Sequence, residues 1–299
     1  MRRRKSPIGP LDYLRRWPLQ AWLAMVTVFL YAPLITLMAF SFNNSRRNIV
    51  WKGFTLDYYK MALTDASLLE AFGNSLAIAA ISTVVSLVLG ALAALVLWRF
   101  RFTGKTALDG ALALPIVAPE ICMGVAMLVF FARVLPWPQD LPWPLNLGAI
   151  IISHISFSFP FVAVVVRARM ASFNREMEEA ARDLGAGPFE TFRLVTLPLI
   201  MPGIFGAAML AFALSIDDFV ISNFNSGTTV TFPLYIFGAA QRGIPVEVNV
   251  IAMILFFFTC AAMGFATWQQ RRAEKLTSVR PEQEVGVGAG VPAGAPAAT

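Results

Sequence analysis

Charge is scarce in this sequence. Only 14% of the 299 residues are charged and 57% are hydrophobic, whereas soluble domains carry roughly 25% charged residues. This composition excludes an ordinary soluble domain. The net charge of +6 does not indicate a nucleic-acid partner, because the Lys and Arg residues flank apolar runs instead of clustering on one soluble face. The basic excess is therefore a signal of membrane topology.

Residues that carry catalytic or metal chemistry are also few. The two cysteines, Cys122 and Cys260, stand far apart in apolar segments, which excludes the paired spacing of a metal site or a disulfide framework. We expect both to be packing residues. The one histidine, His154, leaves most general-base schemes without their usual partner, and we expect it to form a hydrogen bond between helices. We predict no enzyme activity and no cofactor in this chain.

One short stretch is similar to the end of a phosphate-binding loop. Gly104, Lys105 and Thr106 match its last positions, but Arg99 stands where such a loop requires a glycine. We interpret the stretch as a basic cytoplasmic turn. The sequence therefore does not predict that this chain hydrolyses ATP.

Long apolar runs are abundant. Six of them reach the length of about 20 residues that a helix needs to cross roughly 30 Å of hydrocarbon. They cover residues 21–42, 74–98, 110–132, 145–166, 199–224 and 248–268. Pro115 and Pro119 in the third run, and Pro160 in the fourth, predict helices that are bent or broken. The predicted fold class is all-α, a polytopic membrane protein with about six transmembrane helices.

The distribution of Lys and Arg sets the predicted orientation. If the N-terminus is cytoplasmic, all but six of the 24 Lys and Arg residues fall in cytoplasmic segments, so we predict that both termini are cytoplasmic. The predicted organisation is a basic tail over residues 1–20, a transmembrane domain over 21–270 and a cytoplasmic tail over 271–299. The Gly, Ala and Pro content of the last residues predicts disorder.

The loop after the fourth span contains a predicted amphipathic helix. Residues 175–184 are good helix formers, Gly185 suits the left-handed position after a helix, and Pro188 suits the first position of a second short helix. The apolar residues of the first helix fall on one face: Met177, Ala180, Ala181 and Leu184. Amphipathicity alone leaves two alternatives, a solvated connector and a docking surface.

The residues of this loop resemble the EAA signature of ABC importer permeases. That signature is EAA, three residues, G, nine residues, I or V, one residue, then LP. It is matched in order and spacing by Glu179, Ala180, Ala181, Gly185, Val195, Leu197 and Pro198. The resemblance implies a type I (MetI-like) permease fold and a coupling helix in residues 174–190 that docks on an ATP-binding subunit.

The same resemblance implies a set of partners. They are a homologous permease subunit, a dimer of the ATP-binding subunit that holds ATP and Mg, and an extracytoplasmic substrate-binding protein. The expected location is a bacterial inner membrane, in contact with lipid, with no nucleic-acid partner.

Carboxylates inside the apolar runs narrow the substrate. Each costs at least about 2.5–3.5 kcal/mol at the centre of a membrane helix, so an acid there marks a function. Asp217 and Asp218 are adjacent, which on a continuous helix places their side chains about 100° apart. The alternative to a role in the substrate pathway is that one of these aspartates forms a structural ion pair with Arg133, Arg242 or a partner subunit. Glu120 follows Pro119, and its alternative is a favourable place at the N-terminus of a restarted helix. Three acids along one pathway favour a cationic substrate.

A second resemblance covers nearly the whole chain apart from its tails and the loop PWPQDLPWP. The segments SFNNSRRNIVWKGFTLDYY, SHISFSFPFVAVVVRARM, EEAARDLGA, SIDDFVISNF and GIPVEVNVIAM resemble the second permease subunit of spermidine/putrescine importers (PotC-like). The resemblance implies roles in polyamine uptake for Ser215, Asp217, Asp218, Glu120 and Trp51. Glu120 stands where the family pattern has an aspartate. Trp51 is also a candidate interfacial anchor.

Two rival functions stay open at this point. The first is the same machine with another solute, such as an opine, a phosphonate or an amino-acid derivative, because related permeases share the loop signature. The second is a channel or secondary transporter that needs no ATPase.

Overall fold

The computed structural model describes residues 17–45, 50–134, 145–171, 174–241 and 246–278. Most of the predicted N-terminal tail, the PWPQDLPWP loop and residues 279–299, which include the stretch 281–299 that we predict to be disordered, lie outside these ranges. The regular elements are helical. They are α1 (Trp17–Phe40), α2 (Asp57–Thr64), α3 (Ala66–Arg99), α4 (Lys105–Val117), α5 (Glu120–Val129), α6 (Leu147–Ala171), α7 (Glu176–Asp183), α8 (Pro188–Thr191), α9 (Leu197–Ile216), α10 (Val220–Asn225), α11 (Phe232–Ala240) and α12 (Val246–Ser278). The predicted all-α class is confirmed.

Four helical stretches in the described ranges are long and apolar enough to cross a membrane: α1, α3, α6 and the stretch Pro188–Ile216 that contains α9. A fifth span results if α4 and the stretch Glu120–Val134 count together, although they meet at an angle of 108°. The apolar part of α12, Val246–Ala261, is shorter. A second unit begins at Ile254, and its described part is the remainder of α12, up to Ser278.

Prolines have different effects in the two runs where we predicted a bend or a break. In the third run the helix stops at Val117 and restarts at Glu120, directly after Pro119, as predicted. In the fourth run α6 continues through Pro160, so of the two predicted outcomes, a bend or a break, the break does not occur there. Pro160 is buried in α6, and the nearby residues Val162 and Val166 belong to the core that α6 shares with α3 and α9.

The core of the first unit is the packing of α3, α6 and α9. Its buried residues are Ala94, Val162, Val166, Met170, Ile200, Ala207 and Ala211. Small residues permit close approach, since a Cβ on Gly90 would lie 2.7 Å from the carbonyl oxygen of Phe159 and from the side chain of Val162. Close backbone contact of this kind is how membrane helices gain packing energy in lipid.

Candidate functional site

The two adjacent aspartates lie in a break between helices. Helix α9 ends at Ile216, Asp217 is its C-cap, and α10 begins at Val220. The expectation of an angle of about 100° between the two side chains assumed one continuous helix, and that assumption is wrong. Their environments differ instead, because Asp218 is 5% exposed and Asp217 is exposed.

The carboxylate of Asp218 is occupied by contacts within the chain. It accepts hydrogen bonds from the backbone N–H of Ile221 at 3.3 Å and of Ser222 at 2.8 Å, which caps the first turn of α10. Its Oδ2 also lies 3.1 Å from Nε2 of His154. Asp218 therefore positions α10 against α6.

His154 is the centre of a buried polar network. Its Nδ1 lies 2.7 Å from Oγ of Ser215, and its Nε2 lies 3.1 Å from Oγ of Ser222. The Ser215 hydroxyl in turn lies 3.0 Å from Oγ of Ser82 on α3. The predicted role of His154 as a hydrogen-bond partner between helices is confirmed. The network joins α3, α6, α9 and α10, and it contains two of the predicted site residues, Ser215 and Asp218.

Glu120 lies at the second helix break, between α4 and α5, and this break is close to Asp218. It is the first residue of α5, which is the position that the alternative interpretation gave it, and its carboxyl lies beside that of Asp218. Helix α5 also packs closely on α10: Nδ2 of Asn225 donates to the carbonyl oxygen of Gly124 at 3.2 Å. Two interrupted helices therefore meet around neighbouring carboxyl groups. Helix interruptions of this kind form the substrate and ion sites of many membrane transporters.

Asp217 differs from Asp218 in its contacts. In the described ranges, its side chain forms no ion pair or hydrogen bond with the side chain of another residue, Arg133 included, and Arg242 lies outside those ranges. Asp217 follows the C-terminus of α9, where the last carbonyl groups give a partial negative charge. Its carboxylate adds to that charge, so the end of α9 is a place that attracts a cation.

The site lies deep along the helices. Ser82 stands 17 residues before Arg99, the last residue of α3, which corresponds to about 25 Å at 1.5 Å per residue. Helix α9 has 20 residues before Asp217, or about 30 Å. Since the hydrocarbon core is about 30 Å thick, both estimates place the polar network in the half of the span farther from the α7 end.

Trp51 does not join this network. It is 51% exposed, and its ring lies edge-on to Phe40 with 6.3 Å between the ring centroids, next to the end of α1. Nearby, Asn43 holds the loop through hydrogen bonds with the carbonyl oxygen of Val50 and the N–H of Lys52. The structure therefore groups Ser215, Asp217, Asp218 and Glu120 and leaves Trp51 apart from them.

The loop between α6 and α9 forms the predicted pair of short helices. Helix α7 ends before Gly185, which has φ +91°, and α8 begins at Pro188. The predicted turn is thus confirmed. Large apolar side chains point outward: Met177 is 50% exposed, Leu184 90% and Phe189 75%. A short charged helix that exposes its apolar residues has the form of a docking surface.

The EAA residues lie on both sides of this turn. Glu179, Ala180 and Gly185 are exposed, and Ala181 is half-buried. Leu197 and Pro198 form the first turn of α9, directly after a π-helical turn, Phe192–Thr196, that contains Val195.

Sequence reasoning missed Glu178. It is the one residue of α7 that is buried, and its Oε1 accepts a hydrogen bond from Oγ1 of Thr196 at 2.5 Å. Its Oε2 lies 3.4 Å from Nη2 of Arg99. In the sequence Glu178 stands one helical turn before Ala181, which is half-buried. This spacing places Glu178 on the face of α7 that is half-buried, and it is the sequence signal that could have indicated burial. The three other acidic residues of α7 instead predict that Glu178 is exposed to solvent.

Comparison with known proteins places these features in a family context. Residues 86–275 match the family described as binding-protein-dependent transport system inner membrane component. The chain is 38% identical over 253 residues to the putrescine transport system permease protein PotI of Escherichia coli (strain K12), with coverage of 83% of this chain and 88% of that one. It is also 38% identical over 235 residues to the spermidine/putrescine transport system permease protein PotC of the same strain, with coverage of 78% and 86%.

The fold has a counterpart among solved structures. A chain from the crystal structure of a bacterial ABC transporter involved in the import of the acidic polysaccharide alginate aligns with a TM-score of 0.68. Sequence identity is 21%, and the alignment covers 87% of this chain and 97% of that one. The resemblances found in the loop signature and in the PotC-like segments are both confirmed.

Proposed function

Because this chain belongs to the family of binding-protein-dependent transport system inner membrane components, the membrane subunits of ABC importers, we propose that it carries polyamines such as putrescine and spermidine across the membrane. The 38% identity to two permeases with those substrates in their names supports the proposal.

The observation that carries the choice of cargo is the exposed carboxylate of Asp217 at the end of α9. A charged side chain at membrane depth faces a protein interior or a water-filled path instead of lipid. Carboxylates bind ammonium groups through short, charge-assisted hydrogen bonds. Two carboxyl groups that hydrogen-bond to each other share one proton, so Glu120 and Asp218 together add one negative charge nearby, which disfavours an anion.

The fold itself does not select the cargo. A transporter with this fold is involved in the import of alginate, an acidic polysaccharide. Because the fold is shared, the charges along the pathway must decide between an anionic and a cationic cargo. The acids at 120, 217 and 218 are the residues through which this chain would favour a cation over an anionic opine or a phosphonate.

Transport requires partners that this chain does not contain. We propose that it pairs with a homologous permease subunit and with two copies of an ATP-binding subunit, where ATP and Mg are held. An extracytoplasmic binding protein delivers the polyamine. When the ATPase dimer closes, its movement is transmitted to the coupling segment, residues 174–190, through the exposed apolar residues of that segment. The site around Asp217 then opens alternately to the two sides of the membrane.

The test is ATP hydrolysis by the complex that purifies with this chain, reconstituted in lipid with its binding protein. We expect stimulation by putrescine and spermidine and none by 1,4-butanediol, which has the length of putrescine without its charges. Butylamine, with one ammonium group, is the matched intermediate. Stimulation by an anionic solute in place of the amines would contradict the proposed cargo. Purification without an ATPase would contradict the proposed machine.

The orientation gives a separate prediction. Lys60, Thr103 and Asn174 are exposed, and we place Lys60 outside and the other two in the cytoplasm because of the Lys and Arg distribution. In a background that lacks Cys122 and Cys260, a cysteine at Lys60 should react with a membrane-impermeant maleimide in intact cells. Cysteines at Thr103 and Asn174 should react only after permeabilisation. Labelling of Asn174 in intact cells would reverse the orientation and remove the coupling segment from the ATPase.

A further inference from the structure

The buried acid of the coupling segment is unusual for its surroundings. Helix α7 carries Glu176, Glu178, Glu179 and Asp183, and of these Glu178 alone is buried, with its side chain 9% exposed. Removing a carboxylate from water is unfavourable unless hydrogen bonds or charges replace the lost solvation. Both oxygens of Glu178 have such partners, so its burial is specific.

The two partners belong to different membrane spans. Thr196 is 1% exposed and immediately precedes α9, so its hydrogen bond to Oε1 of Glu178 at 2.5 Å links α7 to that span. An O–H···O⁻ bond of this length is in the range of charge-assisted bonds. Arg99 is the last residue of α3, and its guanidinium lies 3.4 Å from Oε2. One carboxylate therefore holds the ends of two spans.

A second contact supports the same attachment. Arg175, at the start of α7, donates from Nη2 to the carbonyl oxygen of Trp98 at 3.2 Å. Its guanidinium carbon also lies 4.4 Å from the centroid of the Trp98 ring, within the range of a cation–π contact. Helix α7 is thus fixed to the end of α3 at two points, while its large apolar residues stay exposed.

The spans held by Glu178 are the ones that form the polar network at their far halves. Helix α3 carries Ser82 and α9 carries Ser215, and their hydroxyl groups lie 3.0 Å apart. Thr196 and Ser215 are 19 positions apart in the sequence, or about 28 Å along a helix. A displacement of α7 that moves α3 and α9 together as rigid helices would therefore reach the break that holds Asp217.

We propose that Glu178 is a positioning residue, which fixes the coupling segment to the ends of α3 and α9 and thereby passes the movement of the ATPase to both spans. The inference rests on the proposed function of this chain as an importer permease. It assigns to Glu178 a role inside the subunit, distinct from the docking surface formed by the exposed residues of α7.

The test replaces Thr196 by Val. This substitution keeps the shape of the side chain and removes the hydroxyl group that donates a hydrogen bond to Glu178. Thr191→Val is the matched control, because Thr191 is also 1% exposed but its hydroxyl bonds only the carbonyl oxygen of Gly187 within the same turn. The readout is polyamine transported per ATP hydrolysed, normalised to assembled complex. We expect Thr196→Val to lower this ratio on the order of tenfold, as loss of a hydrogen bond to a charged group predicts, and Thr191→Val to leave it near the parent value.

A double variant separates the loss of the positioning contact from destabilisation of the subunit by an unsatisfied buried carboxylate. Replacing both partners by apolar residues removes the unsatisfied buried carboxylate, and Arg99 can return to water because its side chain is 32% exposed. Glu178→Leu with Thr196→Val should therefore assemble as well as the parent. Its transport per ATP should stay below the parent value, because the charged link to Arg99 is absent. Glu178→Gln, which still accepts from Thr196, should give an intermediate ratio.

Two results would overturn the inference. One is a ratio for Thr196→Val equal to that of Thr191→Val in assembled complex. The other is a double variant with parental transport per ATP. If Thr196→Val does not assemble, Glu178→Gln and the double variant decide by the same criteria. ATP hydrolysis with and without the binding protein in the parent complex is measured first, so that failure of the proposed cargo is seen before any variant is compared.

Discussion

Asp217→Asn is expected to raise the apparent KM for polyamine uptake by about 10-fold to over 100-fold, because a hydrogen bond to a charged group is worth roughly 1.5–3 kcal/mol. The substitution keeps the size of the side chain. It removes no contact with another side chain in the described ranges, since Asp217 is exposed and its carboxylate has no such partner there. The complex should therefore assemble normally. The measurement is the initial rate of spermidine uptake into proteoliposomes across a range of concentrations.

Asp218→Asn is the matched comparison, and it should fail differently. The Asp218 carboxylate accepts from the N–H groups of Ile221 and Ser222 and contacts His154. An asparagine has one acceptor oxygen, and its NH₂ group would face donors. We expect less assembled complex from this variant, which size-exclusion chromatography measures directly. Parental uptake kinetics in Asp217→Asn would show that Asp217 lies outside the pathway and that the cation-site assignment is wrong.

The features that sequence reasoning predicted correctly are those with a local cause. Pro119 marks the restart of α5 at Glu120, Gly185 has the positive φ that its place after a helix requires, and Pro188 begins α8. In each case the backbone preference of one residue determines the conformation. Four of the six apolar runs were equally readable, because their length alone matches the thickness of the bilayer and each contains a helix that is long enough to span it. The third run is a pair of helices bent by 108°, and the sixth forms a shorter apolar helix.

The break at Asp217 has no such local signal. The segment SIDDFVIS contains neither glycine nor proline, so a continuous helix was the natural expectation. The interruption is stabilised by one local contact, the cap that Asp218 forms on α10, and by one tertiary contact, between Asp218 and His154 on α6. A pair of acids can therefore divide into a structural residue and an exposed one without any sequence pattern that distinguishes them.

Glu178 escaped prediction for a related reason. Its burial depends on Thr196 and Arg99, which are 18 and 79 positions away in the sequence. Neither spacing has a meaning within one helix. Pro160 shows the opposite case, because a local signal for a bend or a break stands there and α6 nevertheless continues through it, in a helix that packs against its neighbours.

Gly185→Val is expected to abolish most of the coupling between transport and ATP hydrolysis. Gly185 has φ +91°, a backbone conformation that costs an L-residue roughly 1–2 kcal/mol and costs a β-branched residue more. Space is not the obstacle, since no atom lies within 4 Å of the position that a Cβ would occupy. The substitution should therefore change the turn between α7 and α8 and displace the exposed residues of the docking surface.

Gly187→Val is the control that isolates this backbone effect. Gly187 lies two residues further along, also has open space around its Cβ position, and has φ −69° and ψ 165°, which any residue before a proline can adopt. The measurement is the amount of ATPase subunit that purifies with each variant at equal expression. Gly185→Val should retain at most about a tenth of the parental amount, as a penalty of about 1.4 kcal/mol or more predicts, and Gly187→Val should retain most of it.

Gly185→Asn extends the comparison, because asparagine tolerates the left-handed conformation better than valine does. Its ATPase recovery should fall between those of Gly185→Val and the parent, in the order of the backbone penalties. If Gly185→Val binds the ATPase as the parent does and also transports normally, the turn is only a connector between α6 and α9. If Gly187→Val loses as much ATPase as Gly185→Val, side-chain bulk at the surface, and not the positive φ, is what the partner rejects.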